Sequence, residues 1–225
     1  MAAASGGANA LWLTRREFGV QVWATDLWFS ASDNLQRARD ASVDDGVFPI
    51  HANARSLPFA TDFFDAIVCI DSFVYYGTDD LYLNYLARFL KPGCVLGIAG
   101  AGLMQEIDGA VPEHLQAWWE PGLCCLHSAP WWKRHWERTG IVDIDVADTL
   151  RDGWQLWRDW QAVVAPGNSV EIQALEADRG NYLGYVRLVG RRRAGVGLED
   201  PIESIPSAYT KKPLLRRTTQ ADGTP

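Results

Sequence analysis

The sequence predicts an α/β protein built on a doubly wound, mostly parallel sheet. From Val20 to Ala99 short apolar runs of strand length alternate with helix-like stretches, the grammar of β-α-β units whose helices cover both faces of a sheet. The run from Asp65 to Asp71 is continuously apolar between its acids, as in a strand buried on both faces; a half-exposed strand would alternate. Leu81, Tyr82, Tyr85, Leu86 and Phe89 recur with a period of about 3.6 before Lys91-Pro92-Gly93 ends them, which marks a helix between two strands.

Val20 to Thr25 is β-branched and apolar, ends at Asp26 and reads as a strand; the polar stretch Asp33 to Asp40 follows as a helix. Gly46 to Ile50 is the second strand and Asp65 to Asp71 the third. Thr78-Asp79-Asp80 caps the helix that reaches Phe89, and Cys94 to Ala99 is the next strand. After Gly100 the residues turn Gly-, Pro- and Trp-rich without strand periodicity as far as Ser128, which predicts a loop or lid with a short helix over Pro112 to Trp119. Ala129-Pro130 opens a helix that runs to Thr139 and stops at Gly140, and Ile141 to Ala147 is a strand. Helices over Trp154 to Val164 and Ser169 to Asp178 precede the last strand, Tyr182 to Val189. Beyond Arg193 the Pro-, Thr- and charge-rich residues predict a mobile tail. The expectation is one domain over residues 1–193, with a lid or substrate region at 101–139, and a flexible tail over 194–225.

A chain with 48% hydrophobic and 22% charged residues has the material for a globular core and does not read as disordered. Its 11 Trp supply flat apolar area, suited equally to the wall of a ligand site and to a packed core. A net charge of −7 argues against nucleic acid as a partner, because phosphate binding needs a clustered positive surface. The basic clusters are Arg191-Arg192-Arg193 and Lys211, Lys212, Arg216 and Arg217, which read as solvated ends. The small apolar residues from Met1 to Leu13 stop at Arg15-Arg16-Glu17, too early for a membrane span, and no export signal is evident. Cys69, Cys94, Cys124 and Cys125 lack the spacing of a metal site and read as reduced thiols of a cytoplasmic protein that holds no metal. Oligomeric state is left open.

Three segments fall at orderly spacing: Asn53-Ala54-Arg55-Ser56-Leu57-Pro58-Phe59, Phe64-Asp65-Ala66-Ile67-Val68-Cys69-Ile70-Asp71-Ser72, and Leu90-Lys91-Pro92-Gly93. Together they resemble the middle of a class I S-adenosylmethionine-dependent methyltransferase. Phe18 to Trp28 and Tyr76 to Leu83 are similar to bacterial small-molecule members of that class. The resemblance implies a Rossmann-like sheet with its last strand antiparallel, S-adenosylmethionine as cofactor and a small-molecule methyl acceptor. It implies cofactor contacts from Gly6, Asp26, Leu27, Asn53, Ala54, Asp71 and Ser72. Asp26 ends a strand where a carboxylate can accept from both ribose hydroxyls; the alternative is an acid that caps the next helix. Asn53 suits the adenine edge, since its amide both donates and accepts, and Ala54 leaves room for the ring. Asp71 and Ser72 end the third strand and face the same crevice.

The family's glycine-rich first motif is reduced here to Ser5-Gly6-Gly7-Ala8-Asn9 before the helical residues Ala10 to Phe18. Gly6 matches the middle glycine, the last glycine is replaced by Ala8, and the preceding acid is absent. The first strand is therefore expected to be missing or vestigial, through a shortened N-terminus or a stub at Met1 to Ser5.

Methyl transfer from a sulfonium is an in-line displacement that needs alignment and exclusion of water and no covalent nucleophile. For an oxygen or nitrogen acceptor that must lose a proton, the candidate bases are Asp71, Tyr75, His127 and His135. Relatives commonly carry a His after the third strand, where this chain has Phe73-Val74-Tyr75-Tyr76. Trp118, Trp119, Trp131, Trp132 and Trp136 fall where a lid would close, but Trp132 and Trp136 also have the spacing of a helix stripe packed on a sheet. Two other readings stand beside the enzyme: a catalytically degenerate methyltransferase-like binding protein, and an NAD-dependent oxidoreductase. The latter shares the acid after the second strand but lacks a third glycine and leaves Asn53 to Phe59 unexplained.

Overall fold

The computed structural model describes residues 2–4 and 9–198. Strands β1 (Ala2–Ala4), β2 (Val22–Asp26), β3 (Val47–His51), β4 (Phe64–Ile70), β5 (Leu90–Leu103), β6 (Val142–Thr149) and β7 (Leu183–Arg192) form one seven-stranded sheet, ordered β3-β2-β1-β4-β5-β7-β6. The first five are parallel, and β7 runs antiparallel between β5 and β6. The helices are α1 (Asn9–Phe18), α2 (Ala31–Asp40), α3 (Tyr82–Ala87), α4 (Ala129–Glu137), α5 (Gly153–Val164) and α6 (Ser169–Asp178). The strand order turns back between β1 and β4, which places a crevice at their carboxyl ends, where open α/β sheets bind ligands.

The expected vestigial first strand is present as the three residues of β1, at the centre of the sheet. They pair with Ala24 and Thr25 on one side and with Val68, Cys69 and Ile70 on the other. Lower down, an aromatic cluster bridges β2 and β4. The Trp23 ring lies 5.1 Å from that of Phe63 and 5.9 Å from that of Phe64, both edge-on. Phe48 of β3 joins it at 5.1 Å. Of these rings only Phe64 is fully buried, and burial of such a side chain contributes on the order of 2 kcal/mol.

The main core lies on β4, β5 and β7 under α3, α4 and the α5–α6 pair. Trp132 and Trp136, four apart on α4, are both fully buried, so they form the helix stripe and α4 packs on the sheet. Ser128 caps α4, accepting from Trp131 N–H; Ser30 does the same for α2 through Asp33 N–H. Capping at such sites contributes about 1 kcal/mol.

Two expectations of extent are corrected. The strand expected to close at Ala99 continues through Leu103, because its glycines permit close approach. A Cβ at Gly102 would stand 2.7 Å from Val186 and 2.9 Å from the His127 carbonyl oxygen. The helix expected to reach Phe89 contracts to α3, since Leu90 already pairs with Phe64, and Lys91-Pro92-Gly93 forms an irregular start to β5 with Gly93 at φ 78°. The short helix near residue 113 is a 3-10 turn, Glu113–Leu115. Cys69 is buried in β4 and burial pushes its thiol up to about 12, whereas Cys124 is exposed. No helix among the described residues is long and apolar enough to cross a membrane. The tail beyond Leu198 lies outside the described residues.

Candidate active site

The carboxyl ends of β2 and β3 meet at Asp26 and His51, which are register partners. Ala52 N–H donates to the Asp26 carbonyl, and His51 Nε2 lies 2.9 Å from the Leu27 carbonyl, so the loop carrying Asn53 is tied to the loop after Asp26. Asp26 is only 3% exposed. Its Oδ1 accepts from the N–H groups of Trp28 (2.7 Å) and Phe29 (3.1 Å), while its Oδ2 is buried with no partner among the described residues. The carboxylate therefore shapes its own loop; the cap of α2 is Ser30.

Asn53 is exposed, and its Oδ1 accepts from Arg55 N–H at 2.9 Å. Ala54 is half-buried on the core, with its carbonyl accepting from Tyr82 Oη at 3.0 Å. Leu57 N–H donates to Tyr85 Oη. Two tyrosines of α3 thus seat the Asn53 to Phe59 turn.

Asp71 follows β4 in the left-handed region, at φ 50°. Its Oδ1 accepts from Ala101 N–H (3.3 Å) and its Oδ2 from Tyr185 Oη (3.1 Å), so β5 and β7 both hold it. Burial raises its pKa above the ordinary carboxylate value, opposed by the hydrogen bonds from Tyr185 and Ala101. Gly100 lies beside it, and a Cβ there would stand in van der Waals contact, 3.4 Å from Asp71 Cα and Oδ1. Ser72 is buried, and its Oγ lies 3.0 Å from Tyr76 Oη.

Beyond β5 a cavity of about 490 Å³ opens between the turn after β4, the segment around Trp118 to Leu126, and helices α5 and α6. Tyr75 and Ala101 line it on the sheet side, and Trp118, Trp157, Glu120 and Glu171 on the other. Trp157 packs edge-on to Tyr185, at 6.1 Å and 90°, which connects this wall to Asp71.

Of the residues expected from sequence, Asp26, Leu27, Asn53 and Ala54 are gathered at one stretch of the rim and Asp71, Ser72 and Tyr75 at the adjoining one. His127 is not with them. Its Nδ1 is bound to Glu106 Oε2 at 3.0 Å, its ring stacks on Trp131 at 3.6 Å, and it does not line the cavity. Burial raises the Glu106 carboxyl, but bonds from Ser128 and His127 outweigh it and hold that group below its usual value. His135 is buried with Nε2 3.1 Å from the Gly77 carbonyl, a strut between α4 and the turn before α3. Gly6 lies outside the described residues. Sequence reasoning missed Tyr185, Trp157 and Glu171; the available signal was the surplus of Trp, which did not distinguish wall from core.

A central switch point, an acid at the end of β2, a second acid after β4 and an antiparallel seventh strand give the chain the fold of the solved S-adenosylmethionine-dependent methyltransferases it is similar to. Residues 1–98 match the family model of the methyltransferase domain. In sequence the chain is similar to methyltransferase GfsG of Streptomyces halstedii, 32% identical over 130 residues, which are 55% of this chain and 42% of that protein. The chain therefore spans about two fifths of the length of the curated relative it matches. In structure it is similar to geranyl diphosphate C-methyltransferase of Streptomyces coelicolor A3(2), with a TM-score of 0.65, 20% identity and coverage of 85% of this chain and 70% of that one. It is also similar to the [4+2]-cyclase SpnF, with a TM-score of 0.61, 18% identity and coverage of 86% and 75%.

Proposed function

We propose that this chain is an S-adenosylmethionine-dependent methyltransferase that acts on a small-molecule acceptor. The observation that carries the proposal is Asp26 Oδ2, a buried carboxylate oxygen without a donor at the switch-point rim. Leaving such an oxygen unbonded costs about 1–3 kcal/mol, and a ribose diol offers the donors it lacks. Asp26 would hold the ribose, Asn53 would donate its Nδ2 to the adenine edge beside Ala54, and the exposed side chain of Leu27 would cover the base. The amino-acid end falls to Ser72, Asp71 and the segment containing Gly6.

When bound, the cofactor supplies a methyl group on a sulfonium already activated for displacement. The chain's own task is to place the acceptor in the cavity beside Tyr75 and Ala101, exclude water with Trp118 and Trp157, and take up the acceptor's proton. Asp71 is the group placed for that last step, oriented by Tyr185 and Ala101. His127, bonded to Glu106 away from the cavity, is not assigned a proton-transfer role.

Calorimetric titration with S-adenosylhomocysteine tests the proposal, with binding expected in the wild type and loss on Asp26→Ala. Folded protein that does not bind, or an Asp26→Ala variant that binds unchanged, rejects it. A second reading, binding without methyl transfer, draws on the reduced first motif and on the fold's likeness to a protein named as a cyclase. S-adenosylhomocysteine bound, with no methyl transferred to any acceptor that occupies the cavity, would favour it. The match of residues 1–98 to the methyltransferase domain supports the methyltransferase reading over the nicotinamide one.

A further inference from the structure

We infer that the acceptor carries a positively charged amino or quaternary ammonium group, held in the cavity against Trp118, Trp157 and Glu171. The inference rests on the reading above that this cavity receives the acceptor. Three aromatic rings, Tyr75, Trp118 and Trp157, and two carboxylates, Glu120 and Glu171, line it, and among the described residues no Lys, Arg or His does. The indoles of Trp118 and Trp157 meet edge to face at 5.8 Å and 74°, forming a corner.

Glu171 is fixed at that corner by neutral donors. Its Oε1 accepts from Trp157 Nε1 (2.8 Å) and Gln161 Nε2 (3.1 Å), and its Oε2 from Asn168 Nδ2 (2.5 Å). These bonds hold the carboxylate in one place and leave its charge uncancelled. Among the described residues neither Glu171 nor Glu120 enters an ion pair with a basic side chain.

A fixed negative charge beside aromatic faces attracts a cation twice over, through its own field and through the ring quadrupoles. An anionic acceptor would meet two carboxylates with no counter-charge in the wall. The overall charge of −7 acts in the same direction on encounter.

The test uses three probes of one shape and different charge: choline, its neutral carbon isostere 3,3-dimethylbutan-1-ol, and the anion 3,3-dimethylbutanoate. Saturation-transfer NMR on the full chain, with tryptophan fluorescence in parallel, reads their affinities. Choline is expected to bind about tenfold more tightly than the alcohol, and the anion more weakly than either. Glu171→Gln and Glu120→Gln should each cut the preference for choline several-fold. Glu120 is exposed and its side chain makes no hydrogen bond or ion pair among the described residues, so its variant serves even if Glu171→Gln does not fold. Equal binding of choline and the alcohol, preference for the anion, no binding of choline, or a preference untouched in folded variants overturns the inference. S-adenosylhomocysteine titration of the same samples separates the two claims. Cofactor bound without charge preference overturns the cavity's assignment alone, and charge preference without cofactor binding overturns the proposed enzyme.

Discussion

Asp26 divides its labour between two oxygens, one closing the turn onto Trp28 and Phe29 and the other left bare in a buried place. Asp26→Asn keeps an Oδ1 for the turn but replaces the bare acceptor with a donor. S-adenosylhomocysteine affinity should fall about tenfold or more by calorimetry with little change in melting temperature. Asp71 gives a pH prediction of definite sign. A base must be ionised, so activity is lost as pH falls through the raised pKa of Asp71, and the acid limb of kcat/KM should lie above the ordinary carboxylate range. Tyr185→Phe removes a donor that stabilises the carboxylate, raises that pKa further and should move the limb to higher pH. Asp71→Asn should abolish the limb and lower the rate by about 10²-fold. Asp26 and Asp71 were legible because each ends a strand recognisable on its own. Tyr185, Trp157 and Glu171 were not, because they reach the site from helices and a strand far along the chain, where nothing local marks a residue as facing a cavity.

At the scale of elements, β2, α2, β3 and β4 fall within a residue or two of the positions their apolar runs predict, since each is decided by its own periodicity and caps. The far end of β5 is decided elsewhere. Gly100, Ala101 and Gly102 resemble a loop in sequence and are a strand because Asp71, Val186 and the segment at His127 press against them. On α4 the alternatives of lid and stripe are resolved by the burial of Trp132 and Trp136. Trp132→Ala should therefore cost about 3–5 kcal/mol in urea unfolding, the loss of a core residue rather than a gate. Gly77→Ala should also destabilise, by about 1–3 kcal/mol, because the new Cβ would lie 2.0 Å from the Phe73 ring. Since Phe73 begins the 3-10 turn that carries Tyr75, the same variant should weaken acceptor binding.

For the molecule as a whole, the sheet is, among the described residues, narrowest in hydrogen bonds at its middle. Val22, Ala24, Ala38, Val43 and Val47 form a small core of their own on the β2–β3 side, apart from the large cluster on β4, β5 and β7. Among the described residues, backbone pairing between the two sides runs through the three residues of β1, with Trp23 and its phenylalanine partners below. Amides of β2 and β3 should exchange with solvent well before those of β5 and β7, and Trp23→Ala should widen that gap while costing about 3 kcal/mol.

Asp26 stands on one bank of this seam and Asp71 on the other. A nucleotide spanning them acts as a rivet, and at a hundredfold excess over Kd it would add about 2.7 kcal/mol to the joint. On the proposed reading, the lifetime of the polypeptide under protease should then track the concentration of the methyl donor or its spent form, so that ligand supply would govern how much of the protein persists.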